Sequence, residues 1–348
     1  MANSLTFLLS YLIIACVITL LIIPVYIRLL YKYNIGKKIR EEWLIGKATE
    51  FARLHASKIG TPTMGWGVIL GVVIIMVCFS ILLKQISPVL GIDINYSLWN
   101  RNETYLALFT LITVGGIGLI DDYLNVREIW RTKWLSARVK LVLLFLFGAL
   151  GAYWFYFKLG YQNINIPFLG SIDLGIWYIP LFVLIIATMA NSVNITDGLD
   201  GLAWGLLLFN YGLYAFICYN QQLTILTALC LIICGSLIWF LWFNIKPALF
   251  YMWDIGSLSL GATLAIMAMM TDTLIVLLIT SAVFWLELFS VIIQMFSKKY
   301  RNGKKIFRIA PFHHHLEAIG WTEENIVMRF WLIGIILSAL WGIVSQLL

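Results

Sequence analysis

Charge is what this sequence lacks. Only 12% of its 348 residues are Asp, Glu, Lys or Arg, 61% are hydrophobic, and mean hydropathy is +0.92. A soluble domain of this length needs roughly 25% charged residues to cover its surface, so a water-soluble globular fold is excluded. There is no internal repeat, low-complexity tract or Pro/Ser linker, so residues 1–348 read as one domain. Five cysteines (Cys16, Cys78, Cys218, Cys230 and Cys234) fall in or beside apolar runs, and none stands at metal-ligand spacing from a histidine. Neither a disulfide framework nor a zinc site is expected; they read as small packing residues.

What the sequence has instead is long apolar blocks. They run for about 18 to 25 residues, the length that crosses roughly 30 Å of hydrocarbon as helix. About ten spans are predicted, at 5–31, 65–84, 104–120, 138–157, 177–192, 199–219, 224–243, 255–271, 273–297 and 328–347. A β-barrel would show short alternating segments, so the expected fold is an all-α polytopic membrane protein. The first block has no small-residue cleavage site after it and is expected to be a retained helix, not a signal peptide.

Positive charge orients the spans. Lys32, Lys37, Lys38, Arg40, Lys47, Arg53 and Lys58 follow the first. Arg127, Arg131, Lys133, Arg138 and Lys140 follow the third, and Lys298, Lys299, Arg301, Lys304, Lys305 and Arg308 fill the penultimate loop. The alternate loops hold only Lys84, Arg101 and Lys158. Basic loops face the cytoplasm, which puts both termini outside and makes the span count even. Topology and attraction to anionic lipid account for most of these residues.

On that topology three separate acidic loops converge at the cytoplasmic face. Asp121 and Asp122 end the third span, Asp197 and Asp200 lie between spans five and six, and Asp254 precedes span eight. Helix capping would suit Asp200 best and could explain Asp197. It does not explain an adjacent pair, since neighbouring carboxylates repel unless a cation sits with them. Mg²⁺ takes one or two carboxylates plus water and substrate phosphate, so a Mg²⁺–diphosphate site is expected. Three of the four histidines are consecutive, His313 to His315. Consecutive side chains diverge, so a phosphate or sugar contact fits them better than a single metal site. The Gly-Thr-Pro-Thr-Met-Gly segment at 60–65 suggests a turn whose N–H groups could face an anion. Glu287, the one acid well inside a span, reads as satisfying polar groups in the bundle or marking a helix break.

These segments together resemble the phospho-MurNAc-pentapeptide translocase family, within the polyprenyl-phosphate N-acetylhexosamine phosphate transferases. The matching stretches are KIGTPTMG (58–65), GLIDDYL (118–124), LSARVK (135–140), NSVNITDGLDGLA (191–203), FLWFN (240–244), the run at 252–261 and FRIAPFHHHLE (307–317). The resemblance implies ten helices, a catalytic cleft at the cytoplasmic face and a multi-pass protein of the bacterial inner membrane, commonly a homodimer. It implies Mg²⁺-dependent transfer from UDP-MurNAc-pentapeptide to undecaprenyl phosphate, giving UMP and the first lipid-linked peptidoglycan precursor. No nucleic-acid partner is expected.

Carried over by motif, Asp254 would be the magnesium ligand, and Asp121 and Asp122 would handle the attacking phosphate and the metal. Asn194, Asp197 and Asn244 would line the cleft. Gly198, Leu199 and Asp200 would hold uracil with Lys58, and Tyr251 would sit beside the base. His313 and His314 would contact the diphosphate or sugar, while Thr63, Lys140 and His315 complete the substrate-binding set. Direct attack by the lipid phosphate and a two-step route through an aspartyl-phosphate both fit the pattern.

Four positions depart from it. Asn125 stands where the family has lysine, and Trp66, Trp134 and Trp253 stand where it has glycine. A source in which UGA encodes glycine, translated as if UGA were tryptophan, would produce this pattern and the count of 15 tryptophans. TGG codons at the three positions would end that reading. Two rival functions fit less well. An intramembrane prenyltransferase would show two similar Asp-rich motifs with three-residue gaps and would leave the histidines without a place. A transporter would set its charges near mid-membrane on broken or repeated helices.

Overall fold

The computed structural model of the chain describes residues 2–33, 42–43, 46–47, 61–89, 97–100, 104–127 and 137–344. Lys58 and Trp134 lie outside these. In chain order the helices are α1 (Ala2–Lys32), α2 (Trp66–Ile86), α3 (Tyr105–Arg127), α4 (Ala137–Tyr153) and α5 (Tyr178–Thr196). Then come α6 (Leu202–Asn220), α7 (Thr224–Asn244), α8 (Trp253–Met270), α9 (Leu274–Thr280), α10 (Ala282–Tyr300), α11 (Phe312–Ala318) and α12 (Glu323–Val344). Among the described residues, sheet is confined to a two-residue pair, β1 (Glu42–Trp43) with β2 (Gly46–Lys47), and a hairpin, β3 (Asn163–Ile166) with β4 (Gly170–Asp173).

Among the described residues nine helices are long and apolar enough to cross a membrane, ten with the bent pair α9–α10 counted as one span. The all-α polytopic expectation holds, and the helices coincide with the predicted spans to within a few residues at most ends. The ninth span differs. Predicted as continuous over 273–297, it bends by 74° between Thr280 and Ala282. The hydroxyls of Thr280 and Ser281 donate to Asn210 Oδ1 on α6 at 2.9 and 3.2 Å. Buried polar side chains thus fix the break within apolar surroundings, where a kink needs such partners.

The bundle is built around α8. About four-fifths of its membrane-spanning stretch (83%) is buried, against 28% for α1 and 22% for α12, which turn most of their surface outward. Helix α8 packs against α3 and α5, α1 against α7, α7 against α6, and α6 against α12. Small residues make the closest of these approaches. A Cβ on Gly118 of α3 would stand 2.4 Å from Ile255 Cα on α8, so the two backbones touch here, as small residues permit between membrane helices.

Candidate active site

That touch lies one turn before Asp121 and Asp122, and it presses the end of α3 onto the start of α8. Asp122 Oδ2 accepts the Ile255 N–H at 3.2 Å, one of the donors that a helix start leaves without an internal partner. Asp122 thus caps the start of α8 from another helix, while neither Asp197 nor Asp200 caps the helix that follows them. The α6 N-cap is Gly201, at φ +80°, with no side-chain cap.

Asp121, Asp122 and Asp254 are brought together with carboxylate oxygens all within 4.8 Å of one another. Asp121 and Asp122 are each 2% exposed, so water does not screen their repulsion. Lys140, from the first turn of α4, reaches into the group. Its Nζ donates to Asp121 Oδ2 at 2.9 Å and also to Asp254 Oδ2. Asn194, near the end of α5, donates its amide to Asp254 Oδ1 and Ser257 Oγ, both at 2.8 Å. Three carboxylates facing one ammonium leave two negative charges, the deficit a divalent cation fills. All the donors are oxygens, the ligand type magnesium prefers.

A second group surrounds the loop after α5. Gly198 faces the histidines so closely that a Cβ there would stand 2.3 Å from His313 Nε2 and 3.2 Å from His314 Nε2. His314 Nδ1 is 2.6 Å from Glu317 Oε2. His315 points elsewhere and accepts the Arg308 N–H at 3.3 Å, so it alone diverges as the spacing predicts, while His313 and His314 turn to the same glycine. Substituting Gly198 by Ala is expected to displace His313 by about 1 Å and cut turnover by roughly 10²-fold. Steady-state turnover by the purified variant checks this, and an unchanged rate would separate His313 from the reaction.

A third group ties the loop to the segment before α8. Asp200 accepts the Tyr251 hydroxyl at Oδ1 and the Ala248 N–H at Oδ2, both at 3.1 Å. Burial, and then the charge of Asp200, push the Tyr251 phenol well up, so it stays protonated and donating. Asn244 bridges the Gly201 N–H (3.0 Å) and the Phe250 carbonyl (2.8 Å). Asp197 ends α5, half-buried, and Leu199 is buried beneath the loop.

The 61–65 segment does turn, with Met64 at φ +71°, but Gly65 does not offer its N–H to an anion, and Gly60 lies outside the described residues. Gly65 N–H donates to the Tyr251 carbonyl and Tyr251 N–H to the Pro62 carbonyl, both at 2.8 Å. Thr63 is buried in this contact and its hydroxyl has no hydrogen-bond partner among the described residues.

Three positions that sequence reasoning passed over matter here. Gly118 was inside a quoted motif, but nothing in its spacing showed the neighbour it meets. Ser257 lies one turn after Asp254, a spacing that places both on one helix face. Glu323, buried in the first turn of α12, accepts the Asp200 N–H at 2.8 Å and pairs with Lys246 at 3.3 Å; an acid at a helix start was its visible signal. Replacing Gly118 by Ala is expected to force α3 off α8, costing ~1–3 kcal/mol of stability and about 10²-fold in turnover. A thermal melt and a rate measurement on one preparation test this; a full-rate, fully stable variant would refute the close approach.

The two exceptional tryptophans described by the structure are not alike. Trp66 is buried in α2, its indole in the space Gly115 leaves, with a Cβ there only 2.4 Å from Cζ2. Trp253 begins α8 at φ +63°, a left-handed conformation that favours glycine.

The model of the glycosyl transferase family 4 matches residues 104–272, which hold both acidic helix ends and the 197–201 loop. A phospho-N-acetylmuramoyl-pentapeptide-transferase of Geobacillus sp. (strain WCH70) is 36% identical over 332 residues, covering 94% of each chain. Enzymes of the same name from Listeria monocytogenes (33% identical, 96% of each chain) and Chloroflexus aggregans (34%, 94% of this chain and 86% of that one) match over comparable lengths.

Proposed function

We propose, from the premise that this chain belongs to the phospho-N-acetylmuramoyl-pentapeptide-transferase family, a division of labour among the three groups of its site. The chain transfers phospho-MurNAc-pentapeptide from UDP-MurNAc-pentapeptide to undecaprenyl phosphate, forming lipid I and releasing UMP. The observation that carries the rest is the trio of buried Asp121 and Asp122 with half-buried Asp254, closed by a single lysine.

An oxygen of the lipid phosphate attacks the phosphorus bonded to the sugar, and the bond from that phosphorus to the bridging oxygen breaks as UMP departs. Such a transfer needs alignment and neutralisation of charge more than covalent help. Asp254 would hold Mg²⁺, which when bound neutralises charge spreading over the diphosphate. Asn194 fixes one oxygen of Asp254, and Lys140 bridges the other to Asp121. Asp121 keeps the acceptor phosphate deprotonated. Asp122, bonded to the Ile255 N–H, holds the first turn of α8 so that Asp254 keeps its place.

The 197–201 loop takes the nucleoside. Gly198 and Leu199 supply its floor, Asp200 and Tyr251 one wall, and Lys58 a cation. His313 and His314 meet the diphosphate or sugar across from Gly198. We place this end of the bundle at the cytoplasmic face of the inner membrane, because Lys32, Arg138 and Lys298–Lys299 lie at the matching helix ends.

With label in the sugar of UDP-MurNAc-pentapeptide, radioactivity is expected to move into a lipid-soluble product only when undecaprenyl phosphate is present. Label that stays water-soluble under all conditions would contradict the reading.

A further inference from the structure

We infer that Glu323 is a positioning residue that fixes the nucleoside loop from the first turn of α12; this rests on the transferase reading above. Glu323 is 6% exposed, and a carboxylate out of water is unfavourable unless it is bonded and paired. Its two oxygens meet different partners. Oε1 accepts the Asp200 N–H at 2.8 Å, and Oε2 lies 3.3 Å from Lys246 Nζ.

The plainer reading is an acid placed at a helix start, where the helix dipole favours it. Glu324 beside it meets that need with its side chain 57% exposed, and it pairs with the same Lys246 at 2.9 Å. The dipole explains neither the burial of Glu323 nor the loop it reaches. A peptide unit is planar and rigid. A hold on the Asp200 N–H is therefore a hold on the Leu199 carbonyl in the same plane, which accepts the Leu202 N–H at 3.2 Å. That plane joins the floor residue Leu199 to the wall residue Asp200. The next plane is held in the same way, by Asn244 Oδ1 on the Gly201 N–H at 3.0 Å. With both flanking planes gripped by side chains from other helices, Asp200 is oriented before a ligand arrives, and its bonds to Tyr251 and Ala248 follow. Lys246, two residues after Asn244, ties the two grips together.

Reach and charge can be separated at this position. Aspartate keeps the charge and suits a helix start, but its carboxylate ends about 1.5 Å short, one C–C bond, and cannot bond the Asp200 N–H. Glutamine keeps the reach and an acceptor oxygen but not the charge. The test uses the purified full-length protein in lipid nanodiscs. It measures kcat, KM for UDP-MurNAc-pentapeptide, and inhibition by UMP, which carries only the nucleoside end of that substrate.

Glu323→Asp is expected to raise KM and the UMP inhibition constant together by roughly 10- to 100-fold, as one buried N–H left unpaired does. Its kcat should change by less than about 3-fold, because contacts to the nucleoside bind ground and transition state alike. Glu323→Gln should recover most of the lost affinity. Equal losses in the two variants would make Glu323 a charge and not a grip, and a lower kcat at unchanged KM would make it a purely structural tie; either result overturns the inference. Amide exchange at Asp200 without substrate reads the contact itself. It should be faster in Glu323→Asp than in wild type, and equal rates would also overturn the inference. If the wild type releases no UMP, the transferase reading fails, and the exchange measurement alone still decides the Glu323–Asp200 contact.

Discussion

Asp254→Asn is expected to reduce UMP release by roughly 10³-fold or more, the scale on which loss of one preorganised electrostatic group falls, while the protein stays folded. The substitution keeps the shape of the side chain and one acceptor oxygen. Asn194 can still donate to that oxygen. What disappears is one negative charge among three, at the member of the trio that is bonded to Asn194 and Lys140. Lys140 then faces Asp121 alone, and the charge deficit that favours a divalent cation falls from two to one. Affinity for Mg²⁺ should fall with the rate, so raising the metal concentration should recover part of the activity. A variant with near-normal turnover would remove the metal assignment from Asp254.

Trp253→Gly is expected to act in the opposite direction. A left-handed conformation costs an ordinary L-residue about 1–2 kcal/mol, and glycine almost nothing. Trp253 holds that conformation, at φ +63°, immediately before Asp254. Glycine there should raise thermal stability by about that amount. It should also free the turn to set the carboxylate, with a gain of up to about 10²-fold in turnover if the metal ligand is now misplaced by about 1 Å. Trp66→Gly should do the reverse, because its buried indole fills the space beside Gly115 and its removal leaves a cavity costing ~3–5 kcal/mol. The structure therefore separates two positions that the sequence pattern treated together: backbone geometry demands glycine at 253 and makes no such demand at 66. A TGG codon at 253, with no gain from the glycine variant, would end the idea that the natural residue is glycine.

Much of this was legible beforehand, for a physical reason. Span length and apolar content report directly on the thickness of hydrocarbon, so the helices fall where hydropathy puts them. The basic loops forced three distant acidic motifs to one end of the bundle, and Asp121, Asp122 and Asp254 do meet. Hydropathy says which residues avoid water, but not which partner each one finds. The bend at Ser281 arises from hydroxyls reaching Asn210 about 70 residues away in the chain. Gly118 shows its importance only once Ile255 lies against it. Of the two readings of Glu287, satisfying polar groups or marking a helix break, the structure bears out the first, yet nothing local tells that both its oxygens accept the His313 backbone N–H. Asp200 looked like a helix cap because of the helix that follows it, whereas its carboxylate serves Tyr251 and Ala248.

The most direct test is UMP release by the wild-type protein with undecaprenyl phosphate present, measured in Mg²⁺, after chelation with EDTA, and after Mg²⁺ is restored. The acidic trio predicts release that stops on chelation and returns with the metal. Release at an equal rate in EDTA would contradict it.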